Sequence, residues 1–411
     1  MKLDLNFIRD QFPAFSEPSL QGWAFFENAG GSYPCKQFLN KLTSFYTKNK
    51  VQPYYPYPAS KMAGEMMDTS YERMASYLGV DAEEIHFGPS TTQNVYVLAN
   101  ALRPMWKDSD EIIVSCQDHE ANAGAWRRLA ARGMNIIEWH VNPETGLLNT
   151  EELKELFSDK TKMVAFPHCS NVIGHINPVK EISEMAHAHG ALCVVDGVAY
   201  APHGFPDLKT LGADIYLFSL YKTYGPHLGL MFVDKELIMK MENQSHFFKE
   251  GITRSMLTPA GPDHAQIGAT SGILDYLDTV YEHHFSEEAT PAERNLAITN
   301  LFRQAEKSLM EPLLDYLRSR QDVQILGLDH KEGRVPTISI LPLTKSIEEV
   351  YAALTKHQLM LGTGDFYAAR PLMDMGIPLD PGVLRMSFLH YTSKEEIDQL
   401  IQGLKIALHG K

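Results

Sequence analysis

The sequence predicts an α/β fold in two parts: a mostly parallel seven-stranded sheet covered by helices, then a smaller α+β domain. Three observations carry the prediction. Between about residues 83 and 235, short apolar runs alternate with segments of helical period. Near-continuous apolar strands separated by helices belong to parallel sheets buried on both faces. From about residue 285 the texture changes to a long helical stretch followed by two more strand candidates. A chain of 411 residues, 44% hydrophobic, is also long enough for a large core and two domains.

The strand candidates are, in order, EIHFG, EIIVSC, NIIEWHV, KMVAFPH, ALCVVDG, DIYLFSL and LGLMFVD. Helical segments such as ELKELF and VKEISEMAHAHG lie between several of them. After EIHFG, Val95, Leu98, Ala99 and Leu102 mark a helix that Ser90 and Gln93 open as a capping box. The stretch PAERNLAITNLFRQAEKSLMEPLLDYLRSR reads as one long helix, and VPTISILPL and VLRMSFLHY as the strands of the smaller domain. In the last helix Ile397, Leu400, Ile401 and Leu404 share one face, behind a capping box of Ser393 and Glu396. Residues 1–284 are thus an N-terminal arm and a large domain, and residues 285–411 a small C-terminal α+β domain that closes over it. PYYPYPAS (53–60) is loop-like and rich in aromatics.

Composition excludes several function classes. Lysine and arginine total 37 against 51 acids, a net charge of −14, which speaks against nucleic acid or an anionic membrane as partner. No apolar run approaches the roughly 20 residues that span a bilayer. The N-terminal MKLDLNFIRDQF carries Asp4 and Asp10 and does not read as a secretory signal. Cys35, Cys116, Cys169 and Cys193 show neither a CxxC pair nor a metal-ligand spacing, which suits buried thiols in a reducing cytoplasm and no metal site.

In open α/β sheets, ligands bind beyond the carboxyl ends of the strands. Those positions carry Ser90, Thr91 and Thr92 after EIHFG, His119 after EIIVSC and Asn171 after KMVAFPH. Asp196 follows ALCVV, and Ser219, Tyr221 and Lys222 follow DIYLF. Hydroxyls at a helix start form an anion site. A carboxylate and a lysine in otherwise apolar surroundings each need a partner. A phosphate cradle, a stacking imidazole, a carboxylate for a ring nitrogen and an amine for an imine together suit pyridoxal 5′-phosphate (PLP).

The motifs FFENAGG, FGPSTTQ, DHEAN, HCSNVIGHINP, VVDG, FSLYKTYGP and LRMSFLHY, in this order, resemble the class V aminotransferase family of fold-type I PLP enzymes. The likeness is to its cysteine desulfurase and selenocysteine lyase branch, and it runs over nearly the whole chain. The resemblance implies that Lys222 is the Schiff-base lysine and later moves protons. It implies that Asp196 holds the pyridine nitrogen protonated and that His119 stacks on the ring. Thr91, Thr92, Ser219 and Tyr221 would bind phosphate. Asn171 would lie near the ring hydroxyl and substrate, Asn28 of FFENAGG and Tyr367 near the substrate, and Arg385 would grip its α-carboxylate. It also implies a homodimer with shared active sites, in which Thr270, one residue out of register with the family's threonine, would reach the partner's phosphate.

The departures from the family pattern are informative. Tyr221 replaces a histidine before the lysine, and Ala199 replaces a glutamine three residues after the ring aspartate. The desulfurase loop cysteine corresponds to Tyr367 or an immediate neighbour in LGTGDFYAARPLM. No cysteine exists beyond Cys193, so that loop has no thiol to carry a persulfide. The expectation is a PLP enzyme acting on an L-amino acid, cleaving a C–S or C–Se substituent without a persulfide cysteine. Transamination, or racemisation or epimerisation at Cα, is the alternative left open by these motifs.

Overall fold

The computed structural model describes residues 2–261 and 263–409. A two-residue strand of the N-terminal arm, β1 (Ala24–Phe25), precedes the main sheet. The main sheet is built from β2 (Ile85–Gly88), β3 (Glu111–Ser115), β4 (Asn135–Trp139), β5 (Thr161–Pro167), β6 (Leu192–Asp196), β7 (Ile215–Ser219) and β8 (Gly229–Val233). All seven expected runs become strands, in the order β2-β8-β7-β6-β5-β3-β4. The pairs β7·β6, β6·β5, β5·β3 and β3·β4 are parallel, and only β8 runs against its neighbours. The reason is connection length: the turn from Ser219 to Gly229 is too short for the crossover of a dozen or more residues that parallel strands need.

Successive residues of each strand enter different cores. Val195 and Phe218 pack into one cluster with Phe87, Phe166 and Tyr216; Val194 and Leu217 face the opposite side with Ile112, Val114 and Met231. Both faces are therefore buried, which is why these strands read as unbroken apolar runs rather than alternating ones.

A second, antiparallel sheet contains β9 (Val323–Ile325), β10 (Thr337–Pro342), β12 (Gly362–Gly364) and β13 (Val383–Ser387), in the order β12-β13-β10-β9. The strand β11 (Leu359–Met360) pairs in parallel with β1. The long helix Pro291–Arg318 joins two cores: Ile298 and Phe302 pack with the main sheet, whereas Met310, Leu314 and Leu317 pack with Ile338, Leu384 and Leu400. The helix Lys394–Leu408 opens with the expected Ser393/Glu396 capping box. Ser90 accepts from the Gln93 N–H at 3.2 Å and caps the helix Thr91–Leu102 on its own, without the reciprocal bond that the sequence predicted. No described helix is long and apolar enough to cross a membrane.

The arm matters for the site. Beyond β1, the Phe26 N–H donates to Met360 O, and the Ser387 N–H donates to Phe26 O at 2.7 Å. FFENAGG is thereby stitched to the end of β13, and Glu27 and Asn28 come to lie beside Arg385 and Ser387.

Candidate active site

Thr91, Thr92, His119, Asn171, Asp196, Ser219, Tyr221 and Lys222 line one cleft at the carboxyl edge of the main sheet. Parallel strand ends and helix starts meet there, so residues more than 100 positions apart converge. Gly229, at the start of β8, permits a close approach to the helix start: a Cβ would stand 2.5 Å from Thr91 N and 2.4 Å from Ser90 C. Any side chain at this position would push the helix start out of the cleft.

The helix Thr91–Leu102 opens onto the cleft with its first backbone N–H groups, which have no intrahelical partner. Thr91 Oγ1 lies 2.7 Å from Ser219 Oγ. Two hydroxyls and a helix N-terminus make an anion cradle. Tyr221 stands beside it, stacked on His227 with ring centroids 4.9 Å apart and planes 9° from parallel.

Lys222 is 6% exposed and has no carboxylate within 4 Å among the described residues. Burial pulls its ammonium down to about 8, helped by Arg385 and opposed by Asp196 and Glu27. Asp196 is equally buried; burial pushes its carboxyl up to about 6, while the Val198 N–H, donating to Oδ1 at 2.8 Å, and Lys222 pull it back. Gly197 makes room for this arrangement, since a Cβ there would sit 2.2 Å from Tyr216 Oη.

His119 caps the helix Glu120–Arg127: its Nδ1 accepts from the Ala121 N–H at 3.0 Å. Burial, then Lys222 and Arg385, push the imidazolium down to about 3. The ring is therefore neutral with its proton on Nε2, held in a fixed plane. Behind it Asp118 accepts from Ser115 Oγ (2.7 Å) and Asn122 Nδ2 (3.0 Å), and burial together with Asp196 pushes its carboxyl up to about 7.

Not every expected residue faces the cleft. Asn28 is buried with its amide spent internally: Nδ2 donates to Phe25 O and Ser387 O, and Oδ1 accepts from Tyr391 Oη. Thr270, expected at the partner's phosphate and not in this cleft, is buried within the single chain, its hydroxyl donating to Gln266 O at 2.9 Å. Tyr367 is 73% exposed, its ring 5.4 Å from that of His119. Arg385 is buried but already engaged. Its Nη1 donates to Asn171 O (2.9 Å), its Nη2 to Glu27 Oε1 (2.7 Å), and Phe366 lies 3.6 Å beneath the guanidinium. Sequence reasoning missed Glu27, Asp118 and His227. The signal for the first lay in FFENAGG itself, where an acid sits within an otherwise apolar and small-residue motif.

Elsewhere, Cys116, Glu138 and His140 bring ligand-type atoms within 4.8 Å of one another. Glu138 already pairs with Arg127 (2.9 Å) and Arg370 (3.3 Å), and burial pushes the Cys116 thiol up to about 12.

The cleft fits PLP by its donor set: an anion cradle, a buried carboxylate for a ring nitrogen, a flat neutral ring, and a buried amine whose charge a covalent bond would remove. A prediction follows for loading. The amine must lose its proton to react with the aldehyde, so PLP uptake by cofactor-free protein should speed up with rising pH and reach half its plateau rate near pH 8. Stopped-flow absorbance checks this, and a midpoint at the ordinary lysine value near 10.5 would contradict it.

The aminotransferase class-V family model matches residues 24–252 and 294–400. The aminotransferase-like protein FGM3 of Gibberella zeae is 34% identical over 416 residues, with 98% of each chain covered. The cysteine desulfurase-like protein ustD of Aspergillus flavus is 30% identical over 415 residues, covering 96% of this chain and 88% of that one. The crystal structure of the cysteine desulfurase CsdA of Escherichia coli superposes with a TM-score of 0.83 at 22% identity, over 99% of both chains, which establishes the shared fold. The chain belongs to the class-V aminotransferase family of PLP-dependent enzymes.

Proposed function

We propose that the protein is a PLP-dependent lyase for an L-amino acid bearing sulfur or selenium, and that it releases the substituent directly rather than through an enzyme persulfide. One observation carries this reading: among the described residues no reactive thiol stands at the cleft. The desulfurase loop position corresponds to Tyr367 or an immediate neighbour, and no cysteine follows Cys193 in the sequence. Cys169 lines the cleft, but it is buried and its thiol is pushed up to about 12 by burial, so it is a poor nucleophile. The desulfurase-like relative from Aspergillus flavus supports a sulfur-bearing substrate.

When bound, PLP supplies an electron sink for the bonds to the substrate Cα. The chain's own groups do the rest. Arg385 and Asn171 hold the α-carboxylate, a two-point grip suited to guanidinium. Lys222 Nζ would take the proton from Cα, and Asp196 would supply the negative charge that keeps the ring nitrogen protonated. His119, neutral and fixed, covers the ring face and sheds water from it. With that electron sink in place, the Cβ substituent would leave with both electrons of its C–S or C–Se bond, a Cα=Cβ bond forming in its place, and would take up a proton. Water releases the remaining skeleton as a keto acid and ammonia, with no external reductant.

The enzyme also reads as a homodimer. Tyr54, Tyr55 and Tyr57 of the PYYPYP loop, with Phe247 and Phe248, are large exposed aromatics that suit a second copy. The four free cysteines suit a reducing compartment such as the cytoplasm.

The test offers the PLP-loaded enzyme a panel of L- and D-amino acids while sulfide, selenide, pyruvate and alanine are measured together. Pyruvate in step with a thiol or selenol is the expected outcome. Alanine with sulfide or selenide would mean desulfurase-type chemistry instead. A keto acid with the substituent retained, or loss of optical activity alone, would replace this reading with an aminotransferase or a racemase.

A further inference from the structure

Arg385 is expected to grip a carboxylate, and in this structure it already holds one. Glu27 Oε1 accepts from its Nη2 at 2.7 Å, with the arginine side chain 3% exposed and the glutamate 29%. The fit is built into the backbone. Glu27 sits against two glycines: a Cβ on Gly30 would stand 2.6 Å from Oε1, and one on Gly362 would stand 3.0 Å from Oε2. Among the described residues the pair is incompletely satisfied, since Glu27 Oε2 and Arg385 Nε are both buried without a partner. Above it, the 365–367 loop acts as a cover. Phe366 stacks on the guanidinium at 3.6 Å, Asn171 Nδ2 donates to Phe366 O (3.0 Å), and the Glu120 N–H donates to Tyr367 O (2.7 Å). Phe366 and Tyr367 have φ of 52° and 58°, left-handed conformations that large L side chains adopt only under constraint.

We propose that Glu27 is an internal stand-in for the substrate α-carboxylate: it neutralises Arg385 in the covered protein and gives way, together with Phe366, when a substrate carboxylate arrives. This rests on the reading above that Arg385 and Asn171 bind the substrate carboxylate. The physics is an exchange. A buried guanidinium without a counter-charge is strongly unfavourable, whereas replacing one carboxylate by another leaves the buried charge paired throughout. Asn171 connects the two events, because its carbonyl receives Arg385 while its amide holds Phe366 O. A substrate that engages this amide releases the cover. Glu27 is a positioning residue: it lowers the apparent affinity for carboxylates by occupying their place, so only a ligand with further contacts in the cleft displaces it.

The experiment measures binding of propionate, which carries a carboxylate but no amine and no leaving group, to the PLP-loaded protein. Thermal melting and isothermal calorimetry are run against matched chloride. Without propionate, Glu27→Gln should melt below wild type; with propionate its melting temperature should recover, and its Kd should fall about tenfold or more below that of wild type. Glu27→Asp should behave as wild type, and the Glu27→Gln/Arg385→Leu double variant should lose the response. Equal propionate affinity in Glu27→Gln and wild type would overturn the proposal. Should Glu27→Gln fail to fold, Phe366→Ala in the wild-type background decides: tighter propionate binding supports the exchange, and unchanged binding overturns it. Failure of the lyase reading appears separately, in the product panel, because propionate cannot react.

Discussion

Replacing Lys222 with alanine abolishes the visible absorption band of the bound cofactor and lowers kcat/KM by at least about 10³-fold, within the range that one positioned proton-transfer group contributes. The loss is chemical, not structural. Lys222 is buried, has no carboxylate within 4 Å among the described residues, and has its ammonium pulled down to about 8 by burial. Removing it takes a poorly solvated amine out of the cleft and breaks no ion pair. The melting temperature of the cofactor-free variant should therefore equal or exceed that of the cofactor-free wild type. Survival of the band, or residual turnover near the wild-type rate, would mean that another residue holds the cofactor.

The Asp196→Asn enzyme keeps its fold and loses about 10²- to 10³-fold in kcat/KM. Asparagine retains the acceptor that receives the Val198 N–H at 2.8 Å, so the end of β6 stays in place. What disappears is the buried negative charge. Breaking a buried charge pair by removing one partner costs about 3–5 kcal/mol, and each 1.4 kcal/mol is a factor of ten. Asp196 also holds the Lys222 ammonium up against burial, so PLP uptake by the cofactor-free variant should shift its midpoint below pH 8. A variant with full activity and an unmoved midpoint would remove Asp196 from the site.

The sequence by itself determined the architecture of the main sheet. Seven apolar runs became seven strands because both faces of the sheet are buried, and burial on both faces is what an unbroken apolar run encodes. It also determined which polar residues stand at the strand ends. Ser90, Thr91, His119, Asn171, Asp196, Ser219, Tyr221 and Lys222 are each polar residues where an apolar strand stops, and eight such positions bordering one cleft is a pattern readable along the chain. The short link from Ser219 to Gly229 likewise carries the one antiparallel reversal, through its length alone.

Tertiary structure alone decided the rest, where partners lie hundreds of residues apart. FFENAGG predicts neither that the arm pairs with β11 and β13, nor that Glu27 thereby meets Arg385, 358 positions away. Asn28 looks like a free amide in the sequence, yet its three hydrogen bonds go to Phe25, Ser387 and Tyr391. The same holds for the loop of Asp365, Phe366 and Tyr367: its composition told of a missing cysteine, while its seat over the guanidinium comes from the docking of β12 beside β13. Local periodicity records which face of a strand or helix is buried. It carries no record of which distant charge waits there, because long-range pairing depends on how separate elements close over one another.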